Sequence, residues 1–276
     1  MNHEYLPTLN GVFAVRKPPG ISSAAAVSQV KNHIINSSCL KDKQRSLLFK
    51  KLKVGHGGTL DPMASGVLVI GLGEGCKKLA AYLSGSKIYK ATAIFGLHYD
   101  TLDITGKLLF TDSKIKLDCD SLVAACGKWT GNIMQRPPAF SAIHIKGERA
   151  YNIARELSKE LCTNRNESTS ESLELIEIPA RPVFVQEIKI LNTEENIAEF
   201  EMHVGGGVYV RSLIRDIAAD IGTVGVMSNL TRTCQGIFRL ESDLVIQIDE
   251  CKNIEIVKSV MENAEKTLKR LGNLQT

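Results

Sequence analysis

An α+β fold is predicted for this chain of 276 residues. Two segments, 181–191 and 197–204, read as an antiparallel strand pair, and in the second Ala198, Phe200, Met202 and Val204 share one face. Two others have helical periodicity: 209–221 lines up Leu213, Ile217 and Ile221, and 254–271 lines up Val257, Val260, Met261, Ala264, Leu268 and Leu271. Strand pairs and helices follow one another without the regular alternation of a βαβ sheet, and no internal repeat is visible.

The remaining elements follow along the chain. Residues 11–15 read as a short strand and Lys17-Pro18-Pro19-Gly20 as a turn. Ser22 or Ser23 can cap a helix over 24–35, with Val27, Val30 and Ile34 on one face. Residues 36–53 read as a charged loop. The continuous apolar run 67–72 predicts a buried strand. A helix is expected over 74–84, a strand over 87–95, and a polar loop with two acids over 98–106. A helix over 119–129 stops at Gly131; the segment Gln135-Arg136-Pro137-Pro138-Ala139-Phe140-Ser141 is too rich in proline for a helix, and another helix is expected over 148–161. The polar stretch 163–172 reads as a flexible insertion because it can bury too little to order itself.

Hydrophobic residues make up 43% of the chain and charged residues 23%, which suits a globular protein with a proper core. No apolar run is long enough to span a membrane. The first residues, Met1-Asn2-His3-Glu4-Tyr5, carry neither a basic start nor an apolar stretch, so no secretory signal is expected, and they are too poor in Arg and Ser to predict a transit peptide. Seven cysteines lie scattered without a Cys-x-x-Cys pair, which predicts a reducing compartment and no metal site. The net charge is +4, a weak pointer to an anionic partner. The basic run is local: Lys41, Lys43, Arg45, Lys50, Lys51 and Lys53 face only Asp42 between 41 and 53. On its own such a run is an ordinary solvated surface; next to a functional loop it suits phosphate contact.

That loop is Gly55-His56-Gly57-Gly58-Thr59-Leu60-Asp61-Pro62-Met63-Ala64-Ser65-Gly66. Its glycines permit close backbone approach, and Pro62 biases Asp61 toward an extended conformation, so one carboxylate is presented from a stiff loop before a buried strand. A dinucleotide fingerprint fails at Cys76, where its third glycine would stand, and no phosphate-loop motif occurs. Asp before Pro is by itself a common turn. A second segment, Gly207-Val208-Tyr209-Val210-Arg211, sets an aromatic and a guanidinium two residues apart at a helix start. An arginine beside Asp61 would orient it, and Tyr89 and Tyr209 could stack on a planar ring. Acid, arginine, aromatics and a basic rim suit a base flipped out of an RNA.

In this combination the chain resembles the TruB family of pseudouridine synthases. Lys17-Pro18-Pro19-Gly20-Ile21-Ser22-Ser23 resembles the family's K-P-x-G-x-[ST]-S motif, and 55–68 its catalytic motif with Asp61 as the acid. Lys87-Ile88-Tyr89-Lys90, the stretch 135–151, Val208-Tyr209-Val210-Arg211-Ser212 and Leu230-Thr231-Arg232 match further motifs in order. The Gly-His-Gly-Gly-Thr-Leu-Asp-Pro form is closest to the eukaryotic stand-alone branch. The resemblance implies a central mixed, mainly antiparallel sheet flanked by helices. It implies a catalytic domain over 1–250 with flexible insertions near 36–53 and 163–172, and a C-terminal basic amphipathic helix over 251–276 in place of a full PUA domain.

The implied activity is the isomerisation of a T-loop uridine of tRNA to pseudouridine, without cofactor or metal. Asp61 would attack C1′ or remove the C2′ proton, Arg211 would pair with it, and Tyr89 would stack on the base and assist C5 deprotonation. His56 would fill the vacated stack, Gly57 would make room for the flipped nucleotide, and Thr59 would contact the RNA. Asp100 would hydrogen-bond the substrate, Tyr209 would line the site, and Leu230 would wall the base pocket. Lys17, Lys50, Lys51 and Lys53 would meet phosphates. The expected partner is tRNA alone, bound by a monomer, with no membrane and no obligate protein partner; the expected setting is the nucleus or mitochondrion, or the cytoplasm. A non-catalytic tRNA-binding or folding protein on the same scaffold, and a guide-RNA-directed synthase, are the alternative readings.

Overall fold

The computed structural model describes residues 9–37, 42–145, 147–163 and 178–273. Its elements run β1 (Gly11–Lys17), α1 (Ser23–Asn36), α2 (Asp42–Lys51), β2 (Val54–His56), β3 (Ser65–Leu72), a 3-10 turn (Gly73–Lys78) and α3 (Leu79–Ser84). Then come β4 (Lys87–Phe95), β5 (Leu97–Tyr99), β6 (Leu108–Thr111), α4 (Cys119–Lys128), β7 (Gly131–Gln135), β8 (His144–Ile145), β9 (Glu148–Arg149) and α5 (Ala150–Thr163). The chain closes with β10 (Arg181–Glu194), β11 (Ile197–Val204), α6 (Val210–Asp220), β12 (Gly225–Gln235), β13 (Phe238–Arg239), β14 (Val245–Gln247), a 3-10 turn (Ile248–Lys252) and α7 (Ile254–Asn273). Two compact units result, one of residues 1–89 with 231–276, the other of 90–230. The chain leaves the first inside β4 and re-enters it inside β12. Among the described residues no helix is long and apolar enough to cross a membrane.

In the first unit the strands lie in the order β14-β1-β3-β12, with β2 paired to β3 and β13 to β12. β1 and β3 are antiparallel from Gly11↔Leu72 to Lys17↔Gly66, and β14 runs parallel to β1. β3 is apolar throughout because both its faces are covered. Leu68 and Ile70 meet Phe13, Val15, the α1 residues Val30 and Ile34, and Val257 of α7. Val67 and Val69 meet Val12, Phe238 and, again from α7, Ala264. α1 begins where expected: the Ser22 hydroxyl accepts the Ala25 N–H at 3.1 Å.

In the second unit the order is β12-β4-β11-β10-β7. β10 and β11 form the expected antiparallel hairpin, with bulges near Val185 and Ile190. Ala198, Phe200, Met202 and Val204 are buried, as are Leu213 and Ile217 of α6. Pairing is mostly antiparallel in both units, with helices outside the strands, which is the α+β class expected.

Three local expectations change. Residues 42–51 form a helix, not a loop, because Asp-Lys-Gln-Arg-Ser-Leu-Leu-Phe-Lys-Lys has no Gly or Pro and ends in two cations that favour a helix C-terminus. The expected loop 98–106 starts inside a hairpin, β5 against β6. β12 is a strand beyond those that the sequence pattern predicts. Of the stretch 163–172, all but Thr163 lies outside the described residues, as do residues 38–41.

Candidate active site

In the first unit Asp61 is half-buried, and both its chain neighbours are tied down. On one side the Leu60 N–H donates to Ser23 Oγ at 2.8 Å, and that hydroxyl donates back to the Leu60 carbonyl at 3.0 Å. On the other, the Pro62 carbonyl accepts the Gly20 N–H at 2.8 Å and Lys17 Nζ at 3.2 Å. The Ala64 N–H closes a turn onto the Asp61 carbonyl at 3.1 Å. The Lys-Pro-Pro-Gly turn and the start of α1 thus form a brace for the acid.

Lys17 is therefore not a phosphate ligand, contrary to expectation. It is 0% exposed, and its ammonium donates to the carbonyls of Pro18 (2.8 Å), Ile21 (2.6 Å) and Pro62. Burial lowers its pKa to about 8, against the attraction of the Asp61 carboxylate and with the help of the Arg232 charge. An amine whose pKa falls on folding binds its proton better in the unfolded chain, so stability rises with pH between the two values. The cost is fully present below about pH 8 and relieved toward 10.5. Urea denaturation between pH 7 and 10 is expected to show the native protein gaining stability relative to Lys17→Met across that window. Parallel curves for the two proteins would exclude a buried, titrating Lys17.

From the far side the loop is held by Arg232, on β12, a residue that the sequence marks only as the end of the Leu-Thr-Arg motif. Its side chain is 1% exposed. Nε donates to the Val67 carbonyl at 2.7 Å and Nη2 to the Gly58 carbonyl at 3.1 Å, while Nη1 stands 3.5 Å from the Tyr89 hydroxyl. One guanidinium thus joins the loop's start, the strand that follows it, and the tyrosine. Gly66 allows the approach: its φ is +105°, and a Cβ there would lie 2.2 Å from the Arg232 carbonyl oxygen. Ser65 and Thr231 complete the seam, their hydroxyls 2.9 Å apart.

Gly57 is also corrected. It is buried, its N–H donates to the Val69 carbonyl at 2.9 Å, and a Cβ would lie 2.8 Å from Tyr82 Cβ. It serves helix–strand packing and offers no surface to a ligand. His56 is half-buried; burial, and then the Arg232 charge, lowers its pKa, which keeps the ring neutral, and Nδ1 lies 3.4 Å from the Gly58 N–H. Thr59 is exposed, and so are Lys50, Lys51 and Lys53; Tyr89 is 7% exposed. Lys87 resembles Lys17: burial lowers it to about 8, and its ammonium donates to the carbonyls of Leu83 and Gly85 at 2.7 and 2.6 Å. A cleft of about 520 Å³ beside Pro18, Pro19 and Thr231 does not have Asp61 on its wall.

In the second unit Arg211 opens α6 and is 4% exposed. It donates to the carbonyls of Thr101 at 2.7 Å and Phe140 at 3.0 Å, and lies 3.7 Å from the Asp103 carboxylate. The acid facing Arg211 in this unit is thus Asp103, a residue to which the sequence pattern gives no role. Asp100 closes its own loop, accepting the Lys107 N–H at 2.7 Å. Asp103 is 5% exposed and accepts from the Thr105 N–H at 3.0 Å and both threonine hydroxyls, at 3.0 Å from Thr101 and 2.5 Å from Thr105. The turn between them strains Leu102 to φ 60°. The signal was present as Asp-Thr-Leu-Asp-Ile-Thr, with a hydroxyl two residues on either side of Asp103.

Tyr209 stands just before α6. Gln135, 1% exposed, brackets its backbone: the side chain accepts the Tyr209 N–H at 2.8 Å and donates to its carbonyl at 3.1 Å. The Arg181 guanidinium lies over the Tyr209 ring at 5.4 Å. Leu230 is buried on β12. Asp61, Tyr89, His56 and Lys17 thus belong to one unit, and Arg211, Tyr209, Asp100 and Leu230 to the other.

Residues 45–210 match the model of the family described as TruB family pseudouridylate synthase, N-terminal domain. The chain is 37% identical over 237 residues to the human protein named pseudouridylate synthase TRUB1, an alignment covering 86% of this chain and 64% of that one. It is 35% identical over 258 residues to tRNA pseudouridine synthase B of Rhizobium meliloti, covering 94% of this chain and 71% of the relative. The chain thus spans somewhat less than two thirds of its human relative's length. Among solved structures it resembles a chain of a Cbf5-Nop10-Gar1 complex, with a TM-score of 0.60, 26% identity and coverage of 90% of this chain and 55% of the other. Fold, motif order and relatives agree: the chain belongs to the TruB family of pseudouridylate synthases.

Proposed function

We propose that this protein isomerises a uridine in the T-loop of tRNA to pseudouridine, acting alone and without cofactor. The observation that carries the reading is the double tie on Asp61: Leu60 held by Ser23 and Pro62 held by Gly20 and Lys17, so that one carboxylate is presented on a loop with little freedom. Such preorganisation is what a group attacking C1′, or taking the C2′ proton, requires. The base leaves with the N1–C1′ electrons, turns, and bonds again through C5, whose proton is then lost; no electrons enter or leave. Tyr89, held near Arg232, would stack on the base and assist that last proton transfer. Neutral His56, at the loop's start, suits an apolar-faced filler of the vacated stack. Arg211 would pair with Asp61, and Leu230 would wall the base.

The human and bacterial relatives named as pseudouridine synthases support the reaction, and the name of the bacterial one supports tRNA as the substrate. Among the described residues Cys76, Cys119, Cys126, Cys234 and Cys251 are free thiols, which suits a reducing setting.

Incubating the purified protein alone with an unmodified tRNA transcript, then mapping pseudouridine, is the test. Product in the T-loop supports the stand-alone enzyme. Tight binding without product would indicate the non-catalytic alternative, and product only with a guide RNA the guided one. Arg211→Ala is expected to lower kcat by about a hundredfold or more while also exposing Asp103 to the cost of an unpaired buried charge, about 3–5 kcal/mol. Arg211→Lys restores the charge without the fork and should recover stability better than rate. An Arg211→Ala enzyme with native kcat would remove Arg211 from the reaction.

A further inference from the structure

Helix α2 carries two apolar side chains that its own packing leaves out: Leu47 is 54% exposed and Phe49 49%. Single exposed apolar residues are ordinary, but these have charged company. Lys31, on the neighbouring α1, places its ammonium 4.4 Å from the centre of the Phe49 ring. Lys50 and Lys51 in the last turn of α2, and Lys53 just beyond, are exposed. Among the described residues none of these four lysines has a carboxylate within ion-pair distance, although the Lys53 charge is felt at Glu74. An exposed ring with one ammonium beside it, on a helix that ends in further exposed cations, complements single-stranded nucleic acid: ammonium groups track phosphates, and the ring offers a base a stacking platform.

We propose that the face formed by α1 and α2 is an RNA-docking surface separate from the catalytic loop, where one unpaired base stacks on Phe49 while Lys31, Lys50, Lys51 and Lys53 hold the flanking phosphates. The inference rests on the reading of this protein as one that acts on RNA, and extends it from phosphate attraction to base stacking. The surface is coupled to the loop through β2, which carries the chain from Lys53 to His56, a rise of about 10 Å. The Lys53 carbonyl is itself fixed by the Gly73 N–H at 2.9 Å.

Stacking and charge separate by their response to salt. Binding of the full chain to an unmodified tRNA transcript is measured across a range of salt concentrations. Phe49→Ala is expected to weaken binding by about fivefold or more with an unchanged slope of log K against log salt. Phe49→Trp should bind at least as well as the native protein. Combined Lys50→Ala, Lys51→Ala and Lys53→Ala should reduce the slope by about two. Because alanine can loosen α2, Phe49→Leu, which keeps the apolar bulk and loses the ring, must weaken binding as well. A Phe49→Leu protein binding within about twofold of native overturns the stacking, and polyglutamate competing as well as oligouridine overturns RNA in favour of an acidic protein partner. Turnover is a separate readout: a protein that binds in this pattern but makes no pseudouridine refutes the proposed reaction and leaves the docking surface standing.

Discussion

Asp61→Asn is expected to lower single-turnover pseudouridine formation by about 10³-fold or more while leaving tRNA affinity within about threefold of native. The two side chains have nearly the same shape, and none of the ties on Leu60 and Pro62 uses the carboxylate. The loop should therefore keep its place. What disappears is a group able to attack C1′ or to take the C2′ proton; an amide does neither. The substitution also removes the negative charge that holds the Lys17 proton, so the Lys17 ammonium should titrate lower still. An Asp61→Asn protein that retains a tenth of native turnover would dismiss Asp61 as the reacting acid. A protein that loses binding in step with turnover would make it a structural residue.

Arg232→Met is expected to have the largest combined effect on stability and rate of any change outside the reacting groups. Methionine fills much of the volume but cannot donate, leaving the Gly58 and Val67 carbonyls without their buried partner. Each such loss costs about 1–3 kcal/mol. With the tie gone, Gly58 and the Asp61 loop are free to shift against β3 and Tyr89. A displacement of the order of 1 Å is enough to cost about a hundredfold in kcat. Arg232→Lys keeps the charge but loses the fork that reaches two carbonyls at once, so it should recover only part of both effects. A spectroscopic readout distinguishes this positioning role from mere loss of folding. The Arg232 charge depresses His56, so in the folded Arg232→Met protein the His56 ring should titrate at higher pH by NMR. Unchanged denaturation midpoint, kcat and His56 titration would together refute the role.

Much of the fold was legible because local pattern and tertiary demand agree. The run 67–72 is continuous in apolar residues since β3 is covered on both faces, and the alternation in 197–204 survives because β11 buries one side. The helix over 209–221 carries a stripe that faces the core, and so does the one over 254–271 through Val257, Val260 and Ala264, while Leu271 near its end is exposed. β12 escapes notice for the opposite reason. Its sequence, Gly-Val-Met-Ser-Asn-Leu-Thr-Arg-Thr-Cys-Gln, places Arg232 and Gln235 inside, and residues of those types are ordinarily solvated. Asp100 and Asp103 stand three apart in one polar loop, and only the course of the turn decides which meets Arg211.

The order and spacing of the motifs are local properties, and they determined the family, the candidate acid and the stiffness of its loop. The φ restriction at Pro62 and the freedom of its glycine neighbours act within a few residues, so they can be read without a structure. Which charges end up inside was decided by tertiary structure alone. Lys17 and Arg232 look like surface cations until the chain closes over them, because burial depends on strands and turns far away in sequence. Once closed, each buried cation must find carbonyls or a hydroxyl to replace water. The carbonyls and hydroxyl it finds, of Pro62, Gly58, Val67 and Tyr89, belong to or border the loop that presents Asp61.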